Sequence, residues 1–196
     1  YSKGVIATSA CLGGEVQKQL LNRDRNAAKK AALEYKEIFG EENFFLELQD
    51  HGIPEQARVN RELVLLSEEL DIPLTASNDV HYLKKEDAKS HDVLLCIQTG
   101  KTVNDTDRMK FPSDEFYLKS PDEMAALFPE NLDALENTVK IAERCNVEIK
   151  FHDLHLPEFI VPEDYTHEEY LKKLALEGMM DRYENVTDEI KEDRKS

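Results

Sequence analysis

No stretch of this sequence is apolar for long enough to make a membrane-spanning helix, and its opening residues carry no signal-peptide pattern. Cysteine is scarce: Cys11, Cys96 and Cys145 are odd in number, far apart and in no CxxC pair. That excludes a disulfide framework and predicts free thiols in a reducing, cytoplasmic setting. Positive charge is also short, with 25 Lys and Arg against 41 Asp and Glu and a formal net charge of −16. Such a surface repels phosphate backbones, so a basic nucleic-acid groove does not line most of the chain. A glycine-rich phosphate loop is missing, because GEENFF and LGGEV match neither the P-loop nor the dinucleotide pattern. There is no GxSxG, and no spacing supports a Ser/His/Asp set.

What is present suffices for a core. The 196 residues are 40% hydrophobic, enough for one large domain or two small ones. The chain opens inside an apolar, strand-like run, YSKGVIATSA, and closes in the charged TDEIKEDRKS, so it reads as a piece of a longer protein. Residues 4–10 read as a buried strand and 14–21 as a short helix. Ala28, Ala31, Ala32, Tyr35, Ile38 and Phe39 recur at helical spacing over 25–39, with Gly40 as the stop. NFFLELQ, residues 43–49, is the next strand. Pro54 suits a first helical position, and Val59, Leu63, Leu66 and Leu70 form one stripe of the helix after it. Residues 73–77 make a third strand. Strands alternating with helices through short connections predict an α/β fold with a parallel sheet or barrel.

In parallel α/β folds, sites lie at the carboxyl ends of the strands. Cys11 follows the first strand, His51 the second, and Asp79 and His81 the third, within SNDVHYL. In an extended chain Asp79 and His81 project to the same side, with Val80 turned away. Thiolate, imidazole and carboxylate on one rim are ligand types for zinc, manganese or iron. The plainer readings stand beside this one: a polar surface turn at 77–83, a buried apolar Cys11, and a His51 that caps the helix at Pro54 or bonds a backbone carbonyl.

The second half reads as helical. Residues 84–101 form a helix closed at Gly100, with Val93, Leu94 and Ile97 as its buried side, Cys96 in the core and His91 in a structural role near the rim. VNDTDRMKFPSD is a polar loop. Ser120, Pro121 and Glu123 mark a capped helix start. From Pro129 an amphipathic helix carries Leu132, Leu135, Val139 and Ala142. HDLHLPEFIVPEDY reads as an extended linker, and Thr166 and Glu169 cap a last helix bearing Leu171, Leu174 and Ala175. The predicted boundary separates residues 1–151 from 152–196. His152, His155 and His167 beside it read as solvated.

ATSACLGGEV, FLELQDHGIPEQ, TASNDVHYL, HDVLLCIQTGK, FYLKSPDEM and ALENTVKIAERCNVE occur in this order over nearly the whole chain. Together they resemble the alpha subunits of the bacterial C-family replicative DNA polymerases. The resemblance implies the back half of a PHP (polymerase and histidinol phosphatase) domain, a distorted TIM-like barrel that holds divalent metal, followed by a helical extension towards the palm. It implies Cys11, Asp79 and His81 as zinc or manganese ligands, with no ligand role for His51. The family's early ligands would precede Tyr1. The palm aspartates and their magnesium would follow Ser196, so this chain alone would not polymerise DNA. The implied partners are DNA, deoxynucleotides and replisome subunits such as the sliding clamp or a proofreading subunit.

Two classes of function follow. In one, the metal site hydrolyses phosphodiesters, as a 3′–5′ exonuclease or phosphoesterase, within a DNA polymerase. In the other, the PHP region only supports the polymerase core or docks a partner. A stand-alone PHP phosphatase is a third reading, and the long extension after residue 84 argues against it.

Overall fold

The computed structural model describes residues 2–152, 154 and 156–193. It divides into two compact units, Tyr1–Val147 and Glu148–Ser196. The first unit is mixed α/β. Strands β1 (Ala7–Thr8), β2 (Phe44–Leu48) and β3 (Leu74–Ala76) form one sheet in that order, parallel throughout. Ala7 pairs with Phe44, and Leu46, Glu47 and Leu48 pair with Leu74, Thr75 and Ala76. Helices α1 (Glu15–Leu21) and α2 (Arg25–Phe39) lie between the first two strands in sequence, and α3 (Pro54–Leu70) between the second and third.

Side-chain alternation along β2 sorts its residues. Phe44, Leu46 and Leu48 enter one buried cluster with Leu74 and Ala76 of β3. The helices supply the rest: Val16 and Leu20 from α1, three alanines (Ala28, Ala31, Ala32) from α2, and Val59, Leu63 and Leu66 from α3. Small residues on α2 let that helix approach the sheet closely. Of the alternate positions, Phe45 is apolar and buried, while Thr8 and Glu47 are polar. Thr8 Oγ1 donates to Glu47 Oε2 at 2.5 Å, Gln49 Nε2 donates to Glu47 Oε1 at 2.8 Å, and the Ser77 hydroxyl donates to the same carboxylate. A strand-borne carboxylate is thus satisfied by its own sheet.

Basic side chains tie the helix ends together. Arg58 on α3 donates to the last carbonyls of α1, including Leu21 O at 3.1 Å. Lys36 on α2 reaches Leu70 O and Asp71 O at the end of α3. These place positive charge where helix carbonyls are unpaired.

Helices α4 (Ala88–Thr99), α5 (Pro121–Leu127) and α6 (Leu132–Arg144) follow, α4 preceded by a 3-10 turn at Lys85–Asp87. Asn137 Nδ2 of α6 donates to Leu74 O at 2.8 Å, which covers the outer edge of β3. The capping box at Ser120 and Glu123 forms as the sequence predicts. The Tyr117 hydroxyl donates to Glu123 Oε1 at 2.6 Å, and that bond together with the Ser120 cap holds the Glu123 carboxyl down to about 2. In the second unit, α7 (His167–Arg182) starts at the predicted Thr166–Glu169 cap, and α8 (Asp188–Asp193) follows.

Several expectations are corrected. The first strand is Ala7–Thr8 rather than 4–10, since β2 offers partners only to those residues. Val93, Leu94 and Ile97 are exposed, and Leu95 is buried in their place beside Cys96, which is buried as expected. Leu132, Val139, Leu171 and Leu174 are likewise exposed, while Ala134 is fully buried. Helical spacing names residues that share a face and leaves open which face the fold covers. His152 is exposed, as predicted, while His155 lies outside the described residues.

Gly14 sits at the start of α1 with φ −65°, a value open to any residue. A Cβ there would stand 2.1 Å from the Ser9 carbonyl oxygen and 2.9 Å from Gln17 Oε1. Gly14→Ala therefore destabilises the first unit by about 1–3 kcal/mol of overpacking. A thermal melt followed by circular dichroism reads it as a lowered midpoint, and an unchanged midpoint contradicts it.

Candidate functional site

The chain leaves β3 at Ala76, and Ser77 N continues the ladder to Leu48 O at 3.0 Å. Asn78 is buried, and its Nδ2 donates to Glu115 O at 3.0 Å and Tyr117 O at 2.6 Å. Asp79 then takes φ 43°, in the left-handed region. Asparagine and aspartate tolerate that conformation better than most residues. The segment is therefore not extended at Asp79, contrary to the simple strand picture. The two side chains still meet: His81 Nε2 lies 3.5 Å from Asp79 Oδ1, with both partly exposed.

His81 is held from two directions. Its N–H donates to Phe116 O at 2.8 Å, and Leu118 N donates to Tyr82 O at 3.1 Å, so the loop runs alongside residues 116–118. Its ring stands edge-on to Phe111 at 4.7 Å and to Phe116 at 5.7 Å, with the His91 ring 5.5 Å away. His91 thus lies beside the pair, as its sequence position suggests.

His51 follows β2 and is 1% exposed. The Asn78 carbonyl can only accept, so His51 Nε2 carries the proton and donates to it at 2.9 Å. Gln56 accepts from His51 N through Oε1, which directs its Nε2 to donate to His51 Nδ1 at 2.8 Å. The ring stacks on Phe116 at 3.9 Å. Burial pushes the His51 pKa below the ordinary 6.5, while the Asn78 carbonyl and the Asp79 carboxylate pull more weakly the other way. Of the two plain readings of His51, the backbone-carbonyl bond is the one formed, and it joins the β2 exit to the β3 exit.

Cys11 lies past the end of β1 after Ala10, which has φ 63°. An alanine in the left-handed region is strained by about 1–2 kcal/mol. Strained residues thus precede or occupy two of the predicted ligand positions, as is common at functional sites. Cys11 is exposed and borders a cavity of about 10 Å³ together with Gln17, Glu47 and Gln49. Gln17 Oε1 and Gln49 Oε1 are buried without a protein hydrogen-bond partner, as is Asn78 Oδ1. Each of these amides has its nitrogen committed to acceptors, Ser9 Oγ and Ala10 O for Gln17, Glu47 Oε1 and Ser77 Oγ for Gln49, and the Glu115 and Tyr117 carbonyls for Asn78, so a flip relieves none of the three.

A divalent metal is implied by resemblance, and the donors here suit zinc or manganese in kind: one carboxylate oxygen and one imidazole nitrogen side by side. In number they fall short of a tetrahedral set. Among the described residues, no group of three His, Cys, Asp or Glu stands close enough to hold a metal ion. The structure brings Asp79 and His81 together and leaves Cys11 apart from them.

Sequence reasoning missed Asn78, Gln56, Phe111 and Phe116. Residues 103–114 read as a polar loop, yet Arg108 pins that loop to α4 by a bidentate pair with Asp92, at 2.6 and 2.8 Å. The aromatic run at Phe111, Phe116 and Tyr117 was the available signal.

The PHP domain family matches residues 1–51 of the chain. Over nearly its whole length the chain is similar to proteins named DNA polymerase III subunit alpha. That of Borreliella burgdorferi is 46% identical over 194 residues, covering 98% of this chain and 17% of the relative. The Treponema pallidum protein is 43% identical, covering 97% and 16%, and the Thermus aquaticus protein 40%, covering 93% and 15%. The chain therefore spans about one-sixth of the length of the curated relatives it matches.

The neutral His51 gives a pH dependence of known sign. A base whose folded pKa is depressed stabilises the fold fully above its unfolded pKa of 6.5, and that contribution declines as pH falls below it. Melts of wild type and His51→Gln between pH 8 and 5 should show the wild type losing more stability, on the order of 1 kcal/mol per unit below 6.5. Parallel pH curves for the two proteins contradict this.

Proposed function

Because the chain is homologous to one segment of DNA polymerase III alpha subunits, we propose that it is a segment of the catalytic subunit of a bacterial replicative DNA polymerase. The observation that carries this is the match over 93–98% of the chain to three such proteins. In that reading DNA and deoxynucleotides are handled by the whole subunit. The magnesium-binding palm aspartates belong to parts of the polypeptide outside these residues. The sliding clamp and a proofreading subunit are the partners, and the setting is cytoplasmic. The net charge of −16 suits a peripheral segment, away from the basic channel that grips the duplex.

Sheet β1–β2–β3 with α1, α2 and α3 forms one arc of a PHP barrel. The Asp79–His81 pair stands at the carboxyl end of that arc, where parallel barrels place their chemistry. Asp79 and His81, with Cys11, contribute to a zinc or manganese site whose remaining ligands come from outside this chain. Bound metal would supply Lewis-acid stabilisation of a phosphodiester and an acidified water. The chain's own contribution is to hold the carboxylate and imidazole together at a fixed, partly exposed position.

A supporting or docking role for the PHP region is favoured by one observation, the separation of Cys11 from the pair. Metal content distinguishes the two. Intact protein purified without chelators carries zinc or manganese by elemental analysis. Asp79→Ala with His81→Ala lowers that content, and lowers hydrolysis of a phosphodiester substrate at least about tenfold. A metal-free wild type, or equal metal in the double variant, sinks the hydrolytic reading and leaves the docking one.

A further inference from the structure

Beside the Asp79–His81 pair lies an open cleft of about 310 Å³. Tyr82 and Phe111 line it, with His91, Lys89 and Lys110. Phe111 and His91 are shared elements: their rings lie 4.7 and 5.5 Å from that of His81 while also forming the cleft wall. Whatever fills the cleft is therefore adjacent to the candidate site.

The charge of this cleft runs against the charge of the molecule. Its two carboxylates are already engaged, Asp92 by Arg108 at 2.6 Å and Asp114 by Lys85 at 3.6 Å. Among the described residues Lys89 enters no ion pair, and Lys110 stands near Asp92, whose carboxylate Arg108 already holds; both lysines are exposed. A cleft with two exposed ammonium groups, beside carboxylates already paired with other cations, is a local positive site on a chain of net charge −16. Its apolar surface joins Leu95, Ala88 and Pro112 to the rings of Tyr82 and Phe111, which bind flat π-systems, and its exposed ammonium groups bind an anion. Its volume lies near the lower end of the range for small-molecule pockets. A nucleotide combines an aromatic face with an anionic group at about this size.

We propose that this cleft binds one nucleotide of a nucleic-acid strand, the base against Phe111 and Tyr82 and the phosphate by Lys89 and Lys110. The adjoining phosphodiester is then presented to Asp79 and His81. This rests on the hydrolytic reading for its purpose, but the binding itself needs no metal. Base–aromatic stacking is tolerant of sequence, so the cleft discriminates little among bases.

The test is a fluorescence titration of the intact protein, in chelator, with 2-aminopurine deoxyribonucleoside 5′-monophosphate. Stacking quenches the fluorophore. Phe111→Ala weakens binding at least about fivefold and removes most of the quench. Lys110→Gln, at an exposed position that leaves the aromatic packing intact, weakens binding about threefold and makes it less salt-dependent. Hydrolysis is read separately with metal restored, so its failure beside intact nucleotide binding bears on the metal reading alone. Inorganic phosphate and the free nucleoside each compete poorly. Absent binding, binding unmoved by either cleft variant, or phosphate competing as well as the nucleotide overturns the subsite.

Discussion

A buried imidazole joins two strand exits. His51 donates to the Asn78 carbonyl, accepts from Gln56 and stacks on Phe116, all within a site that is 1% exposed. Without it the β2 and β3 exits keep the ladder bond from Ser77 to Leu48 and the Ser77 hydroxyl's contacts with Glu47 and Gln49, none of which reaches Asn78. With it, Asn78 is fixed from both sides, by His51 at its carbonyl and by the carbonyls of Glu115 and Tyr117 at its amide nitrogen. Asp79 is the next residue, and its left-handed backbone turns the chain so that its carboxylate meets His81. The neutral state of the ring matters: a second ring proton would face the Gln56 amide donor in a desolvated place.

The same segment connects the pair to the cleft. Phe116 touches both His51 and His81, and Phe111 touches His81 and His91. An aromatic cluster of this kind fixes ring planes more firmly than hydrogen bonds on an exposed loop do, because edge-on and stacked contacts each favour particular angles. Its cost to the chain is small, since the rings also supply buried apolar area. The surface ion pairs of Arg25 and Lys29 with Glu62 and Glu69 contribute little by comparison, being about 40% exposed.

Much of this was legible in sequence where the determinants are local. Ser120–Glu123 and Thr166–Glu169 declare their caps within four residues, and both form. Val59, Leu63, Leu66 and Leu70 declare a buried stripe because α3 lies between two strands that must be covered. The Asp79–His81 meeting was also legible, although through a left-handed turn rather than an extended strand. For His51 a bond to a backbone carbonyl was among the plain readings, but its partner was not legible, because Asn78 is 27 residues away and nothing in QDHG names it. The burial of α4 was read correctly at Cys96 and misread around it for the opposite reason: its apolar residues surround the helix, so spacing alone does not choose Leu95 over Leu94 and Ile97.

The central claim is that the His51–Asn78 link positions the Asp79–His81 loop. Amide hydrogen exchange tests it most directly, comparing wild type with His51→Leu. The account predicts that protection at Ser77, His81 and Leu118 falls in the variant, while amides within α1 and α2 keep theirs. Unchanged protection at those three amides, in a variant that has lost the imidazole, would contradict it.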